Sequence, residues 1–332
     1  MKNAAEAREE LAMAKRHAAD KFSGLAPRPV ERILAGVALD GSDERVLGAA
    51  GAVALATGAR LTIVHATEPV DGEWLLEEAT EPTPDARARL ASTVARLVPR
   101  GVRHTLEVLA GPAHRVMAEV AARTAPDLVV VGASAQEGRL LGSTAERFVR
   151  KATVPVLVVR GDFASPRRVL APVDLSDLSA SGFHCGIATA SRLAAGAELQ
   201  VVSLFAVGFL DAMSKEMREQ RWTVDEMTAQ ARRRMDQLVG RHLPNVPLTC
   251  ENRVVLGPAR ESILGAAKQE SADLIVMSTH GYGGFERLVL GSVAATVVRE
   301  APCSVLLVPP DAAFGDELAE AILSQTAPAK TA

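Results

Sequence analysis

The chain has 332 residues, a formal net charge of −3, 48% hydrophobic and 23% charged residues, enough for two domains with separate cores. Slight acidity gives no basic face for nucleic acid, and aromatics at 3% leave few platforms for stacking single strands. No CxxC pair, HExxH motif, signal-type apolar core or run of about 18 apolar residues occurs, which predicts a cytoplasmic protein without metal centre or membrane span.

Residues 1–28 are rich in Ala, Glu, Lys and Arg. Ala4, Ala7, Leu11, Ala14, Ala18 and Phe22 recur at spacings of three and four, one apolar stripe on a helix. Ser23-Gly24, Pro27 and Pro29 end it. This predicts a helical arm that packs on the body or on a partner.

Arg32–Leu39 reads as a strand, and Asp40-Gly-Ser-Asp turns it into a helix, with Ser42 as the candidate N-cap. Val46, Ala49, Val53 and Leu55 continue that helix to Gly58. Leu61–Ala66 is the next strand, followed by a polar stretch to Pro84 and a helix to Leu97. Thr105–Leu109 is a strand ending at Gly111-Pro112, and Ala113–Arg123 is a helix. Asp127–Val131 and Val154–Val159 are strands separated by a loop and helix. The alternation predicts a doubly wound parallel sheet with right-handed crossovers.

The pattern then starts again. Arg168–Asp174 matches Arg32–Asp40, Leu199–Leu204 matches Leu61–Ala66, and Val254–Pro258 matches Val108–Pro112. Asp273–Met277 matches Asp127–Val131, and Gly291-Ser292 matches Gly142-Ser143. The chain is a duplication with a linker near Gly161–Pro166. The expected fold class is α/β: two tandem Rossmann-like domains, each a doubly wound, five-stranded parallel sheet. The expected parts are an arm (1–28), domain 1 (29–160), domain 2 (167–309) and a helical tail (310–332).

After the strand Asp273–Met277 comes Ser278-Thr-His-Gly-Tyr-Gly-Gly, then Gly291-Ser292 and a helix-compatible run to Glu300. Glycines without Cβ let the loop turn tightly and aim several amides at one point. Gly291-Ser292 before a helix adds amide donors at its positive end. Together they form a candidate phosphate cradle. No Gly-x4-Gly-Lys-Ser/Thr occurs, and Glu286 breaks the GxGxxG pattern, so neither a P-loop nor a standard dinucleotide fold is expected.

A strand ending in Asp-x-Ser, a Gly-Pro after the third strand, Asp-Leu-Ile-Val, and Gly-x9-Gly-Ser-Val followed by Ala-Pro-Cys-Ser-Val-Leu-Leu-Val together resemble the universal stress protein family. The likeness covers residues 30–160 and 167–309, as in a tandem member. In the nucleotide-binding branch of that family the loop reads Gly-x2-Gly-x9-Gly-Ser/Thr and binds ATP. The second half has Ser278-x2-Gly281-x9-Gly291-Ser292, departing only at its first glycine. The first half has Gly132-x2-Ala135-x6-Gly142-Ser143. Three missing residues remove up to about 10 Å of extended reach, so that site is expected to be weak or empty.

The resemblance implies ATP, with Mg2+, in the second half only. Pro172 and Val173 would line the base pocket, Asp174 would accept from ribose or adenine, and the Leu204 main chain would meet the adenine edge. Met277, Ser278 and His280 border the loop, and the amides of Gly281, Gly291, Ser292 and Val293 would hold phosphates. From the residues alone, Asp174 is equally a carboxylate at a helix start, and His280 a solvated turn histidine. His65 is expected to be a satisfied core histidine. Cys185, Cys250 and Cys303 are expected to be buried thiols, and Met213, Met217, Trp222 and Met227 core or an adaptable contact surface.

No positioned cation or base for phosphoryl transfer is fixed by the motif, so no catalytic residue and no enzyme is expected. The reading is a stress-responsive regulatory or adaptor protein that binds adenine nucleotide and engages a protein partner, with neither nucleic acid nor membrane among its ligands. The family further implies an intrachain pseudo-dimer through Val156–Val159 and Val305–Val308, and a homodimer is a further expectation. The alternatives are a pseudo-dimeric scaffold without nucleotide, or a small-molecule binder.

Overall fold

The computed structural model describes residues 29–41, 43–67, 84–133, 147–163, 165–207, 223–279 and 290–309. The expected arm (1–28), the tail (310–332), Ser42, Met213, Met217 and Trp222 lie outside the described residues. The first half carries β1 (Arg32–Val37), α1 (Asp43–Thr57), β2 (Arg60–Thr67), α2 (Pro84–Leu97), β3 (His104–Ala110), α3 (Ala113–Thr124), β4 (Leu128–Gly132) and β5 (Val156–Val159). The second half carries β6 (Arg168–Pro172), α4 (Asp177–Leu193), β7 (Leu199–Val207), α5 (Val224–His242), β8 (Leu248–Leu256), α6 (Ala259–Gln269), β9 (Leu274–Ser278), α7 (Ser292–Glu300) and β10 (Ser304–Val308).

The strands form one ten-stranded sheet in the order β3-β2-β1-β4-β5-β10-β9-β6-β7-β8. Within each half every pairing is parallel, as the alternation of strand and helix requires. The halves meet where β5 and β10 pair antiparallel, with Leu157 opposite Leu306. The expected intrachain pairing of these two strands is therefore present.

Helices cover both faces, so the central strands are apolar on both sides and read as continuous Val/Leu/Ile runs. Alternate residues feed two cores. Ile33, Leu61, Val130, Leu157, Val276 and Leu306 face one. Leu34, Val64, Val129, Val158, Ile275 and Leu307 face the other.

An aspartate just before β4 and its counterpart before β9 fix the start of each sheet. The Asp127 carboxylate accepts from the amides of Glu31 (3.0 Å) and Arg32 (2.9 Å) and from the Arg32 guanidinium (3.3 Å). Asp273 accepts from the amides of Arg167 (3.0 Å) and Arg168 (2.9 Å) and from the Arg168 guanidinium (3.1 Å). Partial burial opposes the Asp273 charge, but the Arg168 amide and guanidinium and the Arg167 amide outweigh it and hold the carboxyl below its ordinary range.

These clamps place Arg32 at the register of Arg168, an offset of 136, which Ile33–Leu128 and Val169–Leu274 share. Leu39 (φ 57°) and Leu175 (φ 62°) keep that offset, each in the left-handed region. Ala38, not Asp40, therefore stands where the second half has Asp174, correcting the match made from sequence. The helices that follow start at Asp43 and Asp177, an offset of 134, so the first loop holds two extra residues. Strand β7 is likewise shifted: Val201, not Leu199, takes the register of Leu61, because Ile33 pairs with Leu61 and Val169 with Val201.

Two glycines set how closely α4 lies on β9. A Cβ at Gly182 would come 2.7 Å from the Ser278 Cβ, and one at Gly186 would come 2.2 Å from Val276 Cγ1. Cys303 is buried, and burial pushes its thiol up to about 11; Cys185 and Cys250 are only half-buried, less than expected. Met227 is buried as expected, whereas His65 is satisfied, its Nδ1 3.0 Å from the Val37 carbonyl, but only half-buried.

Overpacking a closed helix–strand contact costs about 1–3 kcal/mol, so Gly186→Val is expected to lower the urea midpoint by that energy with an unchanged slope. Asp273→Asn leaves two amides and a guanidinium poorly satisfied and is expected to destabilise by about 1–3 kcal/mol at pH 7. Because the carboxyl sits below its unfolded value, that difference is complete above about pH 4 and vanishes as pH falls through the folded value. Urea unfolding of both chains from pH 7 to pH 2 checks the sign.

Candidate functional site

In the second half β6 is flanked by β9 on one side and β7 on the other. From β6 the chain passes to α4 on one face, where Phe183 and Ile187 join one core. From β9 it passes to α7 on the opposite face, where Ala294 and Val297 join the other. The carboxyl ends of β6 and β9 thus form a topological switch point, the place in an open α/β sheet where a crevice opens for ligand.

On the β6 side Pro172 is half-buried and Val173 buried. The Val173 amide donates to the Leu204 carbonyl at 2.8 Å. That carbonyl is engaged in the sheet, and the Leu204 side chain is buried in the core.

Asp174 follows. Its Oδ1 accepts from the Ser176 amide (3.0 Å) and the Ser176 hydroxyl (2.6 Å), while its own amide donates to the Ser179 hydroxyl (3.1 Å). The Ser176 hydroxyl in turn accepts from the Ser179 amide at 3.1 Å and caps α4. The helix-start reading of Asp174 is thus realised through Ser176, and this network fixes the carboxylate at the head of the loop. A carboxylate offers about four acceptor positions, so the same group can also receive ligand hydroxyls.

On the β9 side Met277 is buried and Ser278 half-buried. The Ser278 Cβ lies against Gly182, where α4 has no side chain to collide with it. The Thr279 amide donates to the Val308 carbonyl (3.0 Å), and its carbonyl accepts the Gly291 amide (2.9 Å). A Cβ at Gly291 would stand 3.2 Å from that same carbonyl, so a side chain there would press on the closure of the loop's two ends. This engages one of the amides expected to face phosphate. Gly291 is the N-cap of α7 with no side-chain cap, and its carbonyl accepts the Ala295 amide at 2.8 Å. The amides of Ser292 and Val293 are in the first turn, where no intrahelical carbonyl is available to them. His280 and Gly281 lie outside the described residues.

The first half differs at the carboxylate. Ala38 replaces the carboxylate, and the Asp43 side chain, 4% exposed, turns back to accept the amides of Ala38 (3.0 Å), Leu39 (2.8 Å) and Gly41 (3.3 Å). Ala135, Gly142 and Ser143 lie outside the described residues. The sequence places acidic residues in the first turn of this helix, but not the return of the Asp43 carboxylate to the main chain before it.

Arg160, just after β5, reaches across the seam. Its guanidinium donates to the Val298 (3.2 Å) and Arg299 (2.9 Å) carbonyls at the end of α7, and its main chain exchanges hydrogen bonds with the Ser304 hydroxyl. Desolvation lowers the guanidinium pKa, which still leaves it charged. The helix that carries the Ser292 and Val293 amides is therefore held at its far end by the other half.

Among the described residues no helix is long and apolar enough to cross a membrane, and no group of three His, Cys, Asp or Glu could hold a metal ion. Residues 29–160 and 166–309 each match the model of the universal stress protein family. The chain is 29% identical over 300 residues to a universal stress protein of Mycolicibacterium smegmatis, covering 84% of this chain and 97% of that one. It is 28% identical over 267 residues to universal stress protein Rv2623 of Mycobacterium tuberculosis, covering 74% and 86%. In fold it resembles protein PA1789 of Pseudomonas aeruginosa, with TM-score 0.62, 17% identity and coverage of 92% and 99%.

Charged hydrogen bonds to the carbonyls of a helix end are worth about 1.5–3 kcal/mol, so Arg160→Met is expected to destabilise the chain by that amount. Urea unfolding measures the loss, and hydrogen exchange should place it in α7 and β10.

Proposed function

The chain belongs to the universal stress protein family, and from that footing we propose that it binds ATP through its second half and acts as a stress-responsive regulatory or adaptor protein. Residues 29–160 would form the degenerate domain and residues 167–309 the ATP-binding one. The observation that carries this reading is that Asp174, the Gly291 closure and the first turn of α7 follow the carboxyl ends of the adjacent strands β6 and β9.

Asp174 would receive the ribose hydroxyls, with Pro172 and Val173 against the base and Leu204 in the floor. The amides of Ser292 and Val293, joined by Gly281, would face the phosphates. Gly291 would contribute its missing side chain, since its amide is bonded to Thr279. Ser278 departs from the family glycine, and Gly182 opposite it supplies the room its side chain needs. Mg2+ would arrive on the nucleotide, held by phosphate oxygens. No catalytic residue is assigned: binding would change the surface at the carboxyl ends of β6 and β9 that a partner reads.

Equilibrium dialysis tests the reading. At ATP on the order of 50 µM, saturable uptake approaching one nucleotide per chain is expected. Gly291→Val should abolish it, Asp174→Ala should weaken it about tenfold, and Asp40→Ala should leave it unchanged. Absence of saturable uptake, or uptake indifferent to Gly291→Val, would refute the proposal.

A further inference from the structure

At the amino ends of the first-half strands, a cavity of about 740 Å³ opens under the first half. Its floor is the start of β1, β2 and β3, and its walls are the ends of α1 and α3. Arg32 pairs with Arg60 in the β1–β2 register. Leu61 pairs with His104, so Arg60 is followed across the sheet by Arg103. Three guanidinium-bearing residues thus occupy one rung of three adjacent strands, and all three line the cavity.

Neighbouring strands lie about 4.8 Å apart, and like charges placed directly opposite are destabilising, so such a row is not what sheet stability alone would select. Two of the three are partly compensated. Arg32 meets Asp127, and Arg103 donates to the Gly58 carbonyl (3.0 Å) just past the end of α1. Arg60 is exposed and has no carboxylate partner among the described residues. Arg123, in the last turn of α3, pairs with Glu107, and Glu31 is the remaining acid of the lining.

A second observation points inward. Thr62, 7% exposed, stands two residues beyond Arg60 on the same face of β2. Its hydroxyl oxygen is 3.4 Å from the Thr105 hydroxyl, and both residues line the cavity. Two hydroxyls that share one hydrogen bond keep one O–H to donate onward, and beneath a row of guanidinium groups that suits an anion with several oxygens.

The corresponding rung of the second half is Arg168, Gln200 and Thr249, because Arg168 pairs with Gln200 and Gln200 with Thr249. Around it Arg253 is bound by both Glu251 and Glu270. The fold therefore does not need the arginine row, and only the first half has it.

We propose that this cleft of the first half binds a small phosphorylated anion, its phosphate received by Arg60 and Arg103 over the Thr62 hydroxyl, independently of any nucleotide in the second half. Guanidinium geometry favours phosphate oxygens in pairs, and the volume is that of a small-molecule site.

The test uses the full chain carrying Gly291→Val, which removes the cradle of the second half, and pyrophosphate as the probe, followed by calorimetry at low and moderate salt. Saturable binding is expected, weakening about tenfold or more in Arg60→Gln/Arg103→Thr and likewise weakening as salt rises. These substitutions install the residues that the second half carries at the same positions, so the melting temperature should hold, and circular dichroism checks it. Thr62→Val should weaken binding without changing its salt dependence. No saturable binding in the Gly291→Val chain, or binding unaffected by the double substitution in a folded protein, overturns the proposal.

Discussion

The antiparallel pairing of β5 with β10 is the constraint on which the rest of the molecule depends. Separated, each half would end in a strand of Val and Leu with its ladder unpaired, an edge prone to association. Joined, Val156–Val159 and Ser304–Val308 are buried along their whole length. The seam turns two five-stranded sheets into one continuous sheet and brings Arg160 within reach of α7. Packing extends over it on the helical face too, since residues of α1 and α4 join a single core that runs through both halves.

Around that seam the two halves share a frame and differ in their loops. The shared part is the clamp of Asp127 and Asp273, the left-handed leucine at the end of the first strand, and the helix that follows it. Leu39 and Leu175 hold a conformation that costs a bulky side chain on the order of 1–3 kcal/mol, and both pack against the same core, which offsets it. The loops diverge where chemistry would sit. Asp174 with Ser176 and Ser179 holds a carboxylate just past the end of β6, whereas the Asp43 carboxylate is folded back on the main chain of its own loop.

Much of the frame was legible in the sequence because it is local. Period and composition showed strands and helices, repetition showed two copies, and glycine spacing pointed to the β9–α7 connection. The clamps, the two-residue offset of Ala38 against Asp174 and the shifted register of β7 were not, because each is a relation between strands far apart in the chain. Counting from Asp40 to Asp174 aligned two acids by identity, and only strand pairing shows that they occupy different rungs. The engagement of the Gly291 amide and of the Leu204 carbonyl was equally invisible, since both depend on which main-chain groups meet across the crevice. The arginine row belongs to the same class: Arg32, Arg60 and Arg103 are unremarkable one at a time and become a feature only when the sheet sets them side by side.

The alanine at position 38 carries a consequence for stoichiometry. A homodimer built from one gene product repeats every substitution in both subunits, so it cannot lose a carboxylate on one side alone. Fusion removes that restriction, and here the sheet keeps its approximate twofold axis while the chemistry above it does not. Were nucleotide bound as proposed, the one site in each chain would have no second site within that chain to couple to.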